Sequence, residues 1–235
     1  MITNKENLPK FLVQSIEYWG KSHDSQADYS ATELLDPPRI AALRRKFRDQ
    51  IEEDASDRIW SLLGSATHKV VESAIEEDGG ETLVSEHRMF AELDGVTISG
   101  QADVYDRQTK TIYDLKTASV WEIINGVRLE REQQLNIYGW LGKQEGWEVE
   151  HVAAVFILRD WSKMKATTEQ NYPASQVVEY KIRMWSDDEV EDFLRHRIQM
   201  HEQAKEQLPF CTTDDKWTRP TKFAVMGKGR KSAFR

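Results

Sequence analysis

The sequence predicts an α/β (α+β) fold, a central mixed β-sheet flanked by helices in the order α-β-β-β-α-β, and three observations carry that expectation. Apolar residues recur at helical spacing through Ile59, Leu62, Leu63, Ala66, Val70, Ala74 and Ile75 and stop at Gly79-Gly80. Three β-type runs follow, residues 82–93, 96–105 and 110–117, separated by Asp94-Gly95 and by 106–109, short polar connections that close hairpins. After a further helical segment at 131–144 comes a run apolar on both faces, residues 151–158, which should lie centrally in the sheet.

The remaining elements fall around this core. Pro38 precedes a charged periodic segment, residues 39–53, that reads as a helix, and Ser56 or Asp57 is placed to cap the helix that follows. Residues 176–185 read as a strand, and Ser186 with Glu189 forms a capping box that starts the last helix. The 235 residues suit one domain, with 1–55 as a helical elaboration, 56–210 as the core and 211–235 as a basic tail.

Composition narrows the classes. Hydrophobic residues make up 39% and eight tryptophans are present, which argues for a folded chain. No apolar stretch reaches the roughly 18 residues a membrane span needs, and the N-terminus lacks a signal peptide's apolar run, so the cytoplasm is the expected location. The single cysteine, Cys211, rules out an internal disulfide, a four-cysteine zinc site and an iron–sulfur ligand set, and reads as a small buried packing residue. The net charge of −8 is unevenly spread: Lys216, Arg219, Lys222, Lys228, Arg230, Lys231 and Arg235 stand in a tail without acids. That tail either binds phosphate or is simply a solvated terminus.

The candidate chemistry sits on the second hairpin. With its turn centred between Arg107 and Gln108, Asp114 faces Gln101 and lies diagonal to Asp103. Ala102, Val104, Tyr113 and Leu115 then share one face, which packs on a helix, while Asp103, Asp114 and Lys116 share the other. Two carboxylates so placed can hold a hard divalent cation that neutralises a phosphate and acidifies water, with the lysine orienting that water. Taken alone, the same three charges are more commonly an exposed cross-strand ion pair. Gly64, His68 and Glu72 recur at i, i+4 on one side of a helix, and Gln134 and Tyr138 repeat that spacing on the helix after the hairpin. Each set has an ordinary structural reading too: a satisfied histidine with a solvated acid, and a core tyrosine with a surface glutamine. Trp121 and Trp161 suit either stacking on an unpaired base or core packing.

The ordered series G-x-x-x-H-x-x-x-E at 64–72, G-x-A-D at 100–103, D-L-K-T at 114–117 and Q-x-x-x-Y at 134–138 closely resembles the PD-(D/E)XK nuclease superfamily. The likeness is to its RecB-like exonucleases, CRISPR-associated adaptation nucleases and phage recombination exonucleases, over about residues 60–160. It implies a restriction-endonuclease-like core and a deoxyribonuclease dependent on one or two Mg²⁺ or Mn²⁺ ions. The metal ligands by resemblance are His68, Asp103, Asp114 and the carbonyl of Leu115. Lys116 becomes the catalytic lysine, Glu72 an acid at or behind the metal site, and Gln134 and Tyr138 a substrate-side pair. The signature's proline is replaced here, Gln101-Ala102 preceding Asp103, and no cysteine quartet or Walker loop is present. The tail, with Lys228, Arg230 and Lys231 as DNA contacts, looks like the end of small phage or prophage nucleases.

These features together predict a stand-alone DNA exonuclease of phage-type recombination or replication, working in the host cytoplasm if phage-encoded. The alternatives are a structure-specific DNA endonuclease with the same site and a non-catalytic DNA-end-binding module. The reading leaves room for a recombination or single-strand-annealing partner protein and for a ring-shaped homo-oligomer.

Overall fold

A computed structural model describes residues 2–19, 26–213, 215, 216, 218 and 223. The chain runs β1 (Ile2–Thr3), α1 (Lys10–Trp19), β2 (Tyr29–Ser30), α2 (Ala31–Leu35), α3 (Pro38–Lys46), β3 (Glu53–Asp54), α4 (Ile59–Glu77), β4 (Leu83–Leu93) and β5 (Val96–Asp106). It continues through β6 (Thr111–Ala118), α5 (Trp121–Ile124), α6 (Leu129–Gln144), β7 (His151–Leu158), α7 (Lys163–Thr168), β8 (Val177–Ile182) and α8 (Asp187–Glu206). The expected mixed sheet flanked by helices is the observed architecture, its strands ordered β2-β5-β6-β7-β8 with β4 also paired to β5. β6 and β7 run parallel and the β4–β5, β5–β6 and β7–β8 pairs antiparallel.

β7 is buried on both faces, with Val152, Ala153, Ala154, Phe156 and Leu158 each at 1% exposure or less. It is an inner strand next to the edge strand β8, and the middle of the sheet falls to β6. The helix expected over 39–53 is shorter: α3 ends at Lys46, its last turn carrying Arg44, Arg45 and Lys46, and residues 53–54 pair as β3 with β1. Asp54 makes that switch, its carboxylate accepting from Thr3 Oγ1 at 2.8 Å, Lys5 N at 2.7 Å and Ser56 N at 3.1 Å. Neither Ser56 nor Asp57 caps α4, whose N-cap position is Arg58 without a side-chain bond; Asp54 caps instead the single 3-10 turn that leads into it. Ser186 and Glu189 form the anticipated capping box of α8.

α6 packs against the sheet closely because glycines allow it. A Cβ on Gly100 of β5 would lie 2.6 Å from Leu141 Cδ1 and 2.9 Å from the Tyr138 ring, distances no side chain tolerates. Cys211 is half-buried rather than a core residue. No helix among the described residues is long and apolar enough to cross a membrane.

Candidate metal centre

The site forms where the regular pleat of two neighbouring hairpins breaks. The first turn, Asp94-Gly95, has both residues at positive φ (51° and 80°), the geometry of a two-residue hairpin, and pairs Leu93 with Val96. Carried down the ladder, this register sets Glu86 opposite Asp103. Glu86 itself has φ of 49°, outside the strand region, so the pleat is interrupted there. Residues 102 and 105 of a regular strand would point to opposite faces, yet Ala102 and Tyr105 both lie in the main core cluster. Asp103 occupies the break.

The second hairpin turns between Gln108 and Thr109, not between Arg107 and Gln108. Asp106 pairs with Thr111, and its side chain accepts from Gln108 N at 2.8 Å while Lys110 takes φ of 51°. The register therefore moves by two residues and sets Asp114 opposite Asp103 instead of diagonal to it. The β5–β6 ladder stops at Val104 and Tyr113, and beyond it the Asp103 carboxylate takes over, accepting from Leu115 N at 2.6 Å. The expected division of faces changes as well: Asp114 is 1% exposed and Leu115 9%, so both faces of β6 are covered at this point.

Five predicted residues meet here. Lys116 Nζ donates to Asp114 Oδ1 at 2.6 Å and lies 3.9 Å from Asp103 Oδ2. His68, from α4, is 3.0 Å from the Leu115 carbonyl through Nε2, while Nδ1 is 3.4 Å from Asp103 Oδ1. The same Nδ1 lies 3.1 Å from Glu86 Oε1, an acid that the motif reading missed. Gln101 Nε2 donates to Glu86 Oε2 at 2.6 Å and is itself oriented by Arg88, whose Nη2 donates to Gln101 Oε1 at 2.7 Å. The turn Asp94-Gly95 was the available signal for Glu86, because a two-residue loop fixes which residue stands opposite Asp103.

The electrostatics are those of crowded acids short of positive charge. Burial, and then the Asp114 charge, push Asp103 up to about 6. The hydrogen bond to Glu86 raises His68 against its own desolvation, and Glu86 is held below its ordinary value because the His68 and Gln101 bonds outweigh its burial. Asp114 Oδ2 is buried with no hydrogen-bond partner among the described residues.

A divalent cation fits that set. Donor atoms of His68, Glu86 and Asp103 all lie within 4.8 Å of one another and the Leu115 carbonyl is 3.0 Å from His68 Nε2, a mainly oxygen environment, whereas Asp114, with its orphaned oxygen, stands outside that trio. Glu72 borders the same cleft, of about 410 Å³, but pairs with Lys69 at 2.9 Å and stands outside that group. Gln134 and Tyr138 are both buried, at 8% and 5% exposure, and bonded to each other, Gln134 Nε2 donating to the Tyr138 hydroxyl at 2.7 Å. They stand behind the acids; burial and the Asp114 charge raise the Tyr138 hydroxyl well above its ordinary value. Trp121 is 58% exposed, whereas Trp161 packs on the core and donates to the Pro173 carbonyl at 2.8 Å. Lys228, Arg230 and Lys231 lie outside the described residues.

No protein-family model and no curated protein matches the chain. Among solved structures, that of the protein SSO0001 is similar, with a TM-score of 0.58 and 20% identity over 81% of this chain and 85% of that one. The structure of a phage-related exonuclease from Haemophilus somnus 129PT gives a TM-score of 0.44 and 18% identity over 83% and 93% of the two chains. The likeness to SSO0001 is one of fold.

Proposed function

We propose that this protein is a Mg²⁺- or Mn²⁺-dependent deoxyribonuclease of the PD-(D/E)XK class, acting as an exonuclease in phage-type recombination or replication, with residues 56–210 as its nuclease core. The observation that carries the reading is the convergence of Asp103, Asp114 and Lys116, within 3.9 Å contacts, with the Leu115 amide bonded to Asp103 and the Leu115 carbonyl 3.0 Å from His68. His68, Glu86, Asp103, Asp114 and that carbonyl would hold the ion. When bound, it supplies charge neutralisation at the scissile phosphate and a more acidic water.

The chain's own groups divide the remaining work. Asp114 fixes the Lys116 ammonium, which is placed to orient a water or stabilise charge gathering on phosphate oxygens. Glu86 and Asp103 set the ring plane of His68, and Arg88 with Gln101 sets Glu86. Gln134 and Tyr138 act as positioning residues under the acids, and Glu72 with Lys69 borders the entrance. Lys228, Arg230 and Lys231 belong to the proposal as contacts to the DNA backbone, which a salt-dependent affinity supports or refutes.

The test is a gel assay on end-labelled linear duplex, single strand and covalently closed circle, each with Mg²⁺, Mn²⁺ or chelator. The expected result is metal-dependent release of short products from linear ends only, reduced about 10²–10³-fold by Asp114→Ala and by Lys116→Ala. Cleavage of the closed circle favours the endonuclease, and equal activity in parent and variants retires the assigned roles.

A further inference from the structure

Beside the metal centre lies a second cleft, of about 560 Å³, at the C-terminal end of β6, lined among others by Thr117, Trp121, Glu122, Arg128, Arg131 and Arg159. It begins one residue beyond Lys116. The two clefts touch at a single wall, since a Cβ on Gly64, which lines the first, would be 3.9 Å from Thr117 Oγ1, which lines the second.

Three guanidinium groups line the cleft, and two of them, those of Arg128 and Arg131, share its one acid. Glu122, with a side chain only 10% exposed, lies 3.4 Å from Arg128 Nε and 3.7 Å from Arg131 Nε. The latter separation is beyond hydrogen-bond reach, and the buried Arg131 Nε and Glu122 Oε1 have no such partner among the described residues. One negative charge against three positive ones leaves the cleft cationic inside an acidic chain. Two large flat rings flank it: Trp121, 58% exposed, and Trp60, 59% exposed, over which Arg159 is stacked at 4.2 Å. Guanidinium forks match phosphate oxygens, and exposed indoles match the face of an unpaired base.

We propose that this cleft is a subsite for a single DNA strand, in which Arg128, Arg131 and Arg159 hold backbone phosphate and Trp121 stacks on a base next to the position being cut. The proposal rests on the nuclease reading for its direction toward the metal centre. Because a duplex keeps its base faces stacked inside, the subsite selects a frayed or single-stranded end.

The experiment is fluorescence anisotropy of a labelled oligothymidylate of about a dozen nucleotides, in chelator and over a salt series, so that no cleavage intrudes. For the double variant R128Q/R159Q we expect affinity to fall about tenfold or more and the slope of log affinity on log salt to shrink by about 1.4, at roughly 0.7 per lost phosphate contact. Trp121→Ala should weaken binding about tenfold with the slope kept. R128K/R159K should recover the slope, and Arg195→Gln on α8, the same type of charge change outside the cleft, should leave binding as it is. The proposal is overturned by an unchanged slope in the double variant, by an equal loss in Arg195→Gln, by absence of oligonucleotide binding in the parent, or by blunt duplex binding with the same dependence on Trp121. Cleavage by the parent with Mn²⁺ is scored separately. Its absence together with the expected binding pattern retires the nuclease reading and keeps the subsite, whereas cleavage with variant-independent binding retires the subsite alone.

Discussion

Glu86 and Asp103 stand opposite each other on adjacent strands and share one histidine, both carboxylates reaching His68 Nδ1, at 3.1 and 3.4 Å. A like-charged pair facing across a ladder is ordinarily destabilising. Here the pair persists because the pleat opens at both residues, His68 lies between them, and Gln101 binds the free Glu86 oxygen.

Glu86 should therefore matter as much as the motif acids. Glu86→Gln is expected to raise the Mn²⁺ concentration for half-maximal activity about 10–100-fold, while Glu72→Gln changes it little. In calorimetry, saturating Mn²⁺ should raise the Tm of the parent, by about 2.7 kcal/mol of stabilisation at a hundredfold excess over Kd, and chelator should reverse it. A parent-like metal titration for Glu86→Gln removes this acid from the centre.

The Asp114–Lys116 pair predicts opposite effects from its two halves. The Asp114 side chain is 1% exposed, with one oxygen already orphaned, so Asp114→Asn should abolish activity yet keep or raise the Tm. Lys116→Ala leaves a buried carboxylate without its 2.6 Å partner and should cost roughly 3 kcal/mol, within the range for breaking such pairs. Adding Asp114→Asn to Lys116→Ala should restore most of that loss in a chemical-denaturation series. If the double variant is instead the least stable, the coupling is absent.

Gly100→Ala should destabilise by about 1–3 kcal/mol. The added methyl lands 2.6 Å from Leu141 and 2.9 Å from the Tyr138 ring, so α6 must move away from β5. Urea unfolding measures the loss, and because Leu141 is itself fully buried the test of the contact is a double-mutant cycle, in which Gly100→Ala with Leu141→Ala should cost less than the sum of the two single variants.

Stability should fall on mild acidification through His201. Its ring is 4% exposed, and burial, then the charge of Arg197, hold it below its ordinary value, with Arg45 adding to that and Glu33 and the Leu34 carbonyl opposing. A folded value below the unfolded one means that the unfolded chain takes up the proton more readily. The contribution is complete above about pH 6.5, declines as pH drops through that value, and levels off below the folded one. Melting curves between pH 7.5 and 5 should show a slope that His201→Gln reduces; an identical slope in both proteins assigns the effect elsewhere.

The sequence by itself determined the periodicities, and with them the element order, the mixed sheet with flanking helices and the capping box at Ser186, because each depends on residues within one or two turns of chain. The resemblance carried by its ordered motifs also grouped Asp103, Asp114, Lys116 and His68 in one neighbourhood. The tertiary structure alone decided how they meet: a two-residue change of register at Asp106–Lys110, and a broken pleat that turns Asp103 to the Leu115 amide. It also decided that Gln134 and Tyr138 are buried behind the acids, and that arginines from α6 and from the segment after β7 converge beside Thr117. Spacing along a chain reports which face a residue occupies, but distance between faces is set by turns, bulges and packed glycines, whose effect accumulates through the whole sheet.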